Sequence, residues 1–237
     1  MTITAPIATQ PRLNDLRAAY GDLDGAALLE VAIRDLVPGQ IALVSSFGAE
    51  SAVLLHMVAE IDARVPVIFL NTGKLFGETL RYRDAMVELL GLKDVRSIEP
   101  DAEEVAREDH NGLLWIRNAD ACCALRKVRP LARALEGFDA WITGRKRFQS
   151  DERGDLPTIE RVNGRFKINP LAAWSQDDLD RYIRTHKLPP HPLVADGYPS
   201  IGCMPCTRRV RPGESYRAGR WADLDKTECG IHIGEGI

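Results

Sequence analysis

The sequence predicts an α/β protein: a doubly wound, mostly parallel sheet, then an irregular C-terminal region and a mobile tail. Three observations predict it. The short apolar runs Ile41-Ala-Leu-Val44 and Pro66-Val-Ile-Phe-Leu70 are of the kind buried on both faces of a parallel sheet. Each opens into a loop and then a stretch with helical spacing, clearest at Leu54, Met57, Val58 and Ile61. The alternation repeats at Val95-Arg-Ser-Ile98 and Ala140-Trp-Ile-Thr143, which places ligands at the carboxyl ends of the strands. A chain of 237 residues, 45% hydrophobic, can bury the core this needs.

In chain order, residues 1–12 are polar and proline-containing, an expected mobile arm. Residues 13–36 read as one or two helices with Leu28, Leu29, Val31, Ala32 and Leu36 as the apolar set, ended by Pro38-Gly39. The first strand leads into Ser45-Ser46-Phe47-Gly48-Ala49-Glu50-Ser51, and a Ser/Gly loop at a helix N-terminus suits an anion. It is neither a Walker loop nor G-x-G-x-x-G, and an ordinary strand-to-helix turn with Gly48 for close packing fits equally well. Asn71-Thr72-Gly73 after the second strand and Gly144-Arg145-Lys146-Arg147 after the fourth would share its rim. The helix between the second and third strands is expected to present Tyr82, Ala85, Met86 and Leu89 on one face.

The second half changes texture. Residues 157–162 and 166–168 form an expected hairpin around Asn163-Gly164, and Ser175 caps a short helix with Asp178 three residues on. A proline-rich stretch follows, with Pro189, Pro190, Pro192, Pro199 and Pro205. The expected organisation is an N-terminal arm with helices over 1–37, a nucleotide-binding α/β domain over 38–210 and a mobile catalytic tail over 211–237.

A net charge of −3 gives no field that would gather nucleic acid. No apolar run approaches the length of a membrane span, and the N-terminus lacks a signal-peptide pattern. These features favour a reducing cytoplasm and leave a homo-oligomer open.

The cysteines carry the strongest chemical signal. Four of the five fall into two tight pairs, vicinal Cys122-Cys123 and Cys203-x-x-Cys206. A vicinal pair is a poor disulfide, and two such pairs suit a metal centre, zinc or iron–sulfur alike, or a redox pair, with four buried unreactive thiols as the plainer alternative. Neighbours on a helix diverge, so using both thiols on one centre calls for a helix end or kink, which Pro130 supports. The odd cysteine, Cys229, lies in Glu228-Cys229-Gly230-Ile231-His232 near the C-terminus, where a thiolate nucleophile and an incidental exposed thiol both fit. His232 is expected to pack or to be hydrated.

Together, Ser45-Ser-Phe-Gly-Ala-Glu50, Thr72-Gly73, the four paired cysteines and the terminal Glu-Cys-Gly-Ile-His resemble assimilatory adenylyl-sulfate reductases, from about residue 40 onward. The related 3′-phosphoadenylyl-sulfate reductases share the loop and terminal cysteine but lack the other four. The resemblance implies an adenine-nucleotide α-hydrolase-like sheet and a [4Fe–4S] cluster on Cys122, Cys123, Cys203 and Cys206. It implies attack by Cys229 on the sulfur of adenylyl sulfate, departure of AMP, and release of sulfite from the S-sulfocysteine by thioredoxin or glutaredoxin. Lys127 then matches a lysine linking cluster and substrate charge. Ser45, Gly48, Leu70, Thr72, Gly73 and Gly144 match the nucleotide rim, and Arg153, Arg217 and Arg220 match arginines that hold phosphosulfate. One departure is Asn71, where the family commonly has Asp. Two other functions remain as alternatives: an ATP pyrophosphatase with sulfurtransferase activity, and a non-catalytic iron–sulfur nucleotide sensor.

Overall fold

The computed structural model describes residues 12–150, 153–222, 226 and 228–232. The expected arm over 1–12 therefore lies almost wholly outside the described residues, as do 223–225, 227 and 233–237 of the tail.

Five strands run parallel: β1 (Ile41–Val44), β2 (Val67–Leu70), β3 (Val95–Ile98), β4 (Ala140–Ile142) and β6 (Arg165–Ile168). β5 (Ile159–Val162) is antiparallel to β6 and closes one edge, giving the order β3-β2-β1-β4-β6-β5. Asn163 and Gly164 both have positive φ, 49° and 81°, as a two-residue hairpin turn of this twist requires. The order reverses between β1 and β4, so the crevice beyond their carboxyl ends is a topological switch point.

Each central strand is buried on both faces. Ile41, Leu43, Val67, Phe69, Ala140 and Ile142 face the larger core, with α2 (Gly25–Val31), α3 (Ser51–Asp62) and α4 (Gly77–Leu90). Ala42, Ile68, Leu70 and Trp141 face a smaller core with Leu131 and Leu135 around α8 (Arg129–Ala134). Parallel strands covered by helices on both sides read as continuous apolar runs for this reason.

The N-terminal helical stretch resolves into α1 (Leu13–Tyr20), α2 and a π-turn over Ala32–Leu36. α9 (Gln176–Thr185) carries the expected Ser175–Asp178 capping box. The expected face of α4 is corrected in part. Tyr82 and Met86 are buried, but Ala85 is exposed and Leu89 is 58% exposed, while Thr79 is buried in their stead. The decision is tertiary: Tyr82 Oη donates to Pro189 O at 2.8 Å, and Thr79 Oγ1 meets His191 Nε2 at 3.1 Å. The proline-rich stretch thus covers one side of α4 and rotates its buried face.

Candidate active site

A cleft of about 210 Å³ opens at the switch point, floored by the loops after β1, β2 and β4. Ser45, Gly48, Leu70 and Gly144 line it. In the first loop the Phe47 N–H donates to Ser45 Oγ at 3.2 Å, and Phe47 takes a φ of 48°. A left-handed phenylalanine needs outside support, and its buried ring has it, edge-on to Phe69 at 5.5 Å. Gly48 is needed for closeness, since a Cβ there would meet Ser46 Oγ at 3.2 Å and Ile201 O at 3.3 Å.

Thr72 and Gly73 are placed differently from the expectation. They are absent from the cleft wall; Thr72 turns toward Cys203, while the Gly73 N–H donates to Asn71 Oδ1 at 3.2 Å. Thr72 Oγ1 lies 3.3 Å from Cys203 Sγ, and Thr72 O accepts from Arg126 Nη1 at 2.8 Å. Arg126 is itself fixed by Asp109 at 2.7 Å in a buried ion pair. Asn71 also stays off the cleft, donating to Glu99 at 2.9 Å.

The four paired cysteines do come together. α7 (Ala119–Cys123) runs straight into a π-turn over Ala124–Val128, so the vicinal pair stands where the helical pitch changes. Such turns are frequent at functional sites. Cys203 caps and Cys206 ends a 3₁₀ turn (Met204–Cys206) pinned to the loop after β2 by the Met204 N–H to Lys74 O bond of 2.8 Å. All four line one small cavity, together with Trp115, Lys74, Arg126, Lys127 and Arg220. Every cysteine is a free thiol. Among the described residues no three His, Cys, Asp or Glu side chains converge as ligands of a single ion. Burial pushes Cys122 up to about 11 and raises Cys206 as well.

Cys203, Lys127, Arg220 and Trp221 border both the cavity and the cleft, so they form the partition between them. Gly202 makes room for it, because a Cβ there would meet the Arg220 guanidinium at 2.3 Å. Lys127 Nζ points across at Cys229 Sγ, 3.7 Å away.

Of the two readings of Cys229, the incidental exposed thiol does not fit. Glu228, Cys229, Ile231 and His232 line the cleft, and Cys229 is only 9% exposed. Cys123 as a hydrogen-bonding neighbour lowers the Cys229 pKa; burial opposes this, but Lys127, the Ile231 N–H and Arg220 add to the lowering, and the balance falls well below an ordinary thiol. Cys123 is raised correspondingly. For Lys127 burial disfavours the charge, yet the sulfurs of Cys203, Cys229 and Cys123 outweigh it and raise its pKa. Ile231 packs onto the smaller core, and the His232 ring lies parallel to Trp141 at 6.3 Å, so this histidine packs.

Arg153, Arg217 and Arg220 all line the cleft. Three partners went unnoticed in the sequence. Glu228 accepts from Arg153 at 2.5 Å and lies 3.6 Å from Arg217. Glu50 forms a buried ion pair with Lys146 and accepts from Gln149 at 2.9 Å. Gly202 is the third. No spacing could reveal these, since each partner is distant in the chain. The arrangement can bind a polyanion through cations and hold a lowered-pKa thiol beside it.

A family model described as the phosphoadenosine phosphosulfate reductase domain matches residues 40–209. An adenosine 5′-phosphosulfate reductase from Mesorhizobium japonicum is 56% identical, over 92% of this chain and 86% of its own. Another of that name from Chelativorans sp. is 49% identical, over 96% of this chain and 94% of its own. The crystal structure of phosphoadenylyl-sulfate reductase from Candida auris, a phosphate complex, superposes with a TM-score of 0.71 at 27% identity, covering 88% of this chain and 100% of that one.

Proposed function

The chain belongs to the phosphoadenosine phosphosulfate reductase domain family, and on that footing we propose that it reduces adenylyl sulfate to sulfite and AMP. The observation that carries the proposal is Cys229, its sulfur 3.7 Å from Lys127 Nζ, at the edge of an arginine-lined cleft. The two relatives of highest identity reported above bear the name adenosine 5′-phosphosulfate reductase, which favours this substrate over its 3′-phosphorylated form.

In the proposed reaction the Cys229 thiolate forms a bond to the sulfate sulfur. The S–O bond to the AMP phosphate breaks, and its electron pair leaves with AMP. Arg153, Arg217, Arg220 and Lys127 balance charge on the substrate and on the leaving phosphate. Ser45, Gly48, Leu70 and Gly144 form the nucleotide wall, whereas Thr72 acts by supporting the Cys203 turn. A dithiol reductant such as thioredoxin or glutaredoxin then attacks Cys229 Sγ, expels sulfite and closes its own disulfide, supplying two electrons. The unit over 38–210 binds the nucleotide and 211–237 acts as the catalytic tail, in the sulfate assimilation that feeds cysteine synthesis. A reducing cytoplasm suits the free thiols.

The donor set fits a [4Fe–4S] group: four thiols line one cavity without converging on a single-ion site, and Lys127 and Arg220 stand ready to balance its charge. Cys122, Cys123, Cys203 and Cys206 would hold it, and when bound it would supply a charged, polarisable centre and a staple for the irregular chain.

The test is adenylyl sulfate without reductant. It should yield AMP in one-to-one ratio with a sulfonate on the peptide containing Cys229, and thioredoxin should then discharge sulfite. Turnover with no adduct on Cys229 overturns the mechanism; binding with neither product nor adduct favours the sensor, and ATP cleavage the pyrophosphatase.

A further inference from the structure

Among the described residues, two carboxylates line a cleft otherwise furnished with cations, and one of them, Glu50, has no part in the proposed reaction. Glu50 stands in the loop after β1, directly before α3, and its side chain is only 10% exposed. Its Oε2 is engaged: it pairs with Lys146 Nζ and accepts from Gln149 Nε2 at 2.9 Å. Its Oε1 is buried and has no hydrogen-bond partner among the described residues, although the Tyr216 hydroxyl stands near the carboxylate. Three other buried atoms of the cleft wall are unpartnered in the same way: Arg145 Nε, Arg220 Nε and His232 Nδ1.

An unpaired buried polar atom is costly, and several around one cleft mark where a ligand's polar groups belong. The two guanidinium Nε–H groups can only donate, which suits the oxygens of a phosphosulfate. A carboxylate oxygen can only accept, so Glu50 Oε1 calls for a donor on the ligand. Adenylyl sulfate offers donors in two places, the adenine amine and the ribose hydroxyls. Dinucleotide-binding sheets use an acidic side chain on the ribose: it accepts from a hydroxyl, whereas sites for the phosphorylated ribose put an arginine there. We propose that Glu50 is a specificity-determining residue, whose Oε1 accepts from the ribose 3′-hydroxyl of adenylyl sulfate and whose charge excludes the 3′-phosphorylated nucleotide. The proposal rests on the adenylyl-sulfate assignment above and names the group that makes the choice. The 3′ position is where that substrate differs from its phosphorylated relative. A second phosphate there would face an acidic oxygen in a site closed to water, where repulsion is poorly screened. Lys146 cannot relieve it, being already held by Oε2.

The test uses the full-length protein with its metal centre and reads binding by calorimetry. The probes are AMP, 3′-deoxy-AMP and adenosine 3′,5′-bisphosphate. The wild type should bind AMP about tenfold or more tightly than 3′-deoxy-AMP, the loss expected for one charge-assisted hydrogen bond. It should bind AMP roughly a hundredfold more tightly than the bisphosphate, since like charges brought together cost several kcal/mol. Glu50→Gln keeps the shape and removes the charge, so the preference for AMP over the bisphosphate should shrink about tenfold or more. Glu50→Asp, which retains the charge, should still reject the bisphosphate. Equal binding of AMP and 3′-deoxy-AMP by the wild type would show that Oε1 is served by water or by the adenine amine, and would overturn the proposal. So would an unchanged preference for AMP over the bisphosphate in Glu50→Gln. Should loss of the charge beside Lys146 unfold that variant, the wild-type series decides by itself. Sulfite release from adenylyl sulfate is measured separately. A protein that makes sulfite without distinguishing these nucleotides loses only this inference, and one that distinguishes them but makes no sulfite loses the assigned reaction.

Discussion

Lys127 Nζ stands 3.7 Å from the sulfur of Cys229, across 102 residues of sequence. The lysine sits in the π-turn that follows the vicinal cysteines, and Cys229 reaches the cleft together with Glu228, Ile231 and His232. One ammonium therefore serves the cysteine cavity and the cleft together.

Lys127→Ala should lower turnover by about 10²–10³-fold, the usual cost of deleting one preorganised charge at a reacting centre. Iron content and nucleotide binding should be unchanged. Steady-state kinetics beside an iron assay check this, and an unaltered kcat with full iron would remove Lys127 from the chemistry.

Cys229→Ser should lower sulfite formation by more than about a thousandfold, because a hydroxyl at neutral pH is a far weaker nucleophile toward sulfur than a thiolate. Adenylyl sulfate should still bind, which calorimetry would read. Retention of even a tenth of the activity would point to another nucleophile.

Cys203→Ser or Cys206→Ser should cost iron and acid-labile sulfide and loosen residues 189–210, whose irregular backbone has few ladders to hold it. Iron and sulfide assays with hydrogen exchange report both effects. A variant with full iron and full activity would exclude that residue as a ligand.

Gly202→Ala puts a methyl where the Arg220 guanidinium lies, 2.3 Å away. The protein should fold and keep its iron but bind substrate more weakly, with kcat/KM down about tenfold or more from loss of one charge-assisted contact. Normal kinetics would show that Arg220 is not held in place by that gap.

His191 is fully buried between Thr79 and the Leu193 N–H, and burial lowers its pKa to about 4. The unfolded chain takes up a proton near pH 6.5 and the folded chain only near 4, so stability should fall as pH drops through that window and stay level above it. The loss amounts to roughly 3–3.5 kcal/mol once the pH is below 4, by the conversion of pKa units to energy. His191→Asn should show a shallower decline in melting temperature over the same range; an identical decline would assign the acid sensitivity to other groups.

Much of this protein is legible in the one-dimensional pattern. The runs at 41–44 and 66–70 read as doubly buried strands because each is short, apolar at every position and followed by a loop. The hairpin at Asn163-Gly164 and the cap at Ser175 are local geometry, written in neighbouring residues. The paired spacing of the cysteines likewise announces a shared site before any fold is known.

What the fold alone decides are the contacts between residues far apart in sequence. The exposure of Ala85 and Leu89 follows from where the proline-rich stretch lies on α4, and periodicity cannot specify which neighbour a helix will have. Thr72 serves Cys203 instead of the cleft because the Cys203 turn is pinned to the loop after β2. Cys229, which by sequence fits either a nucleophile or an incidental exposed thiol, is buried against Cys123 and Lys127, and Glu228 beside it meets Arg153 from 75 residues away. Such pairings depend on how distant segments meet, a property of the packed whole that no window of the sequence contains.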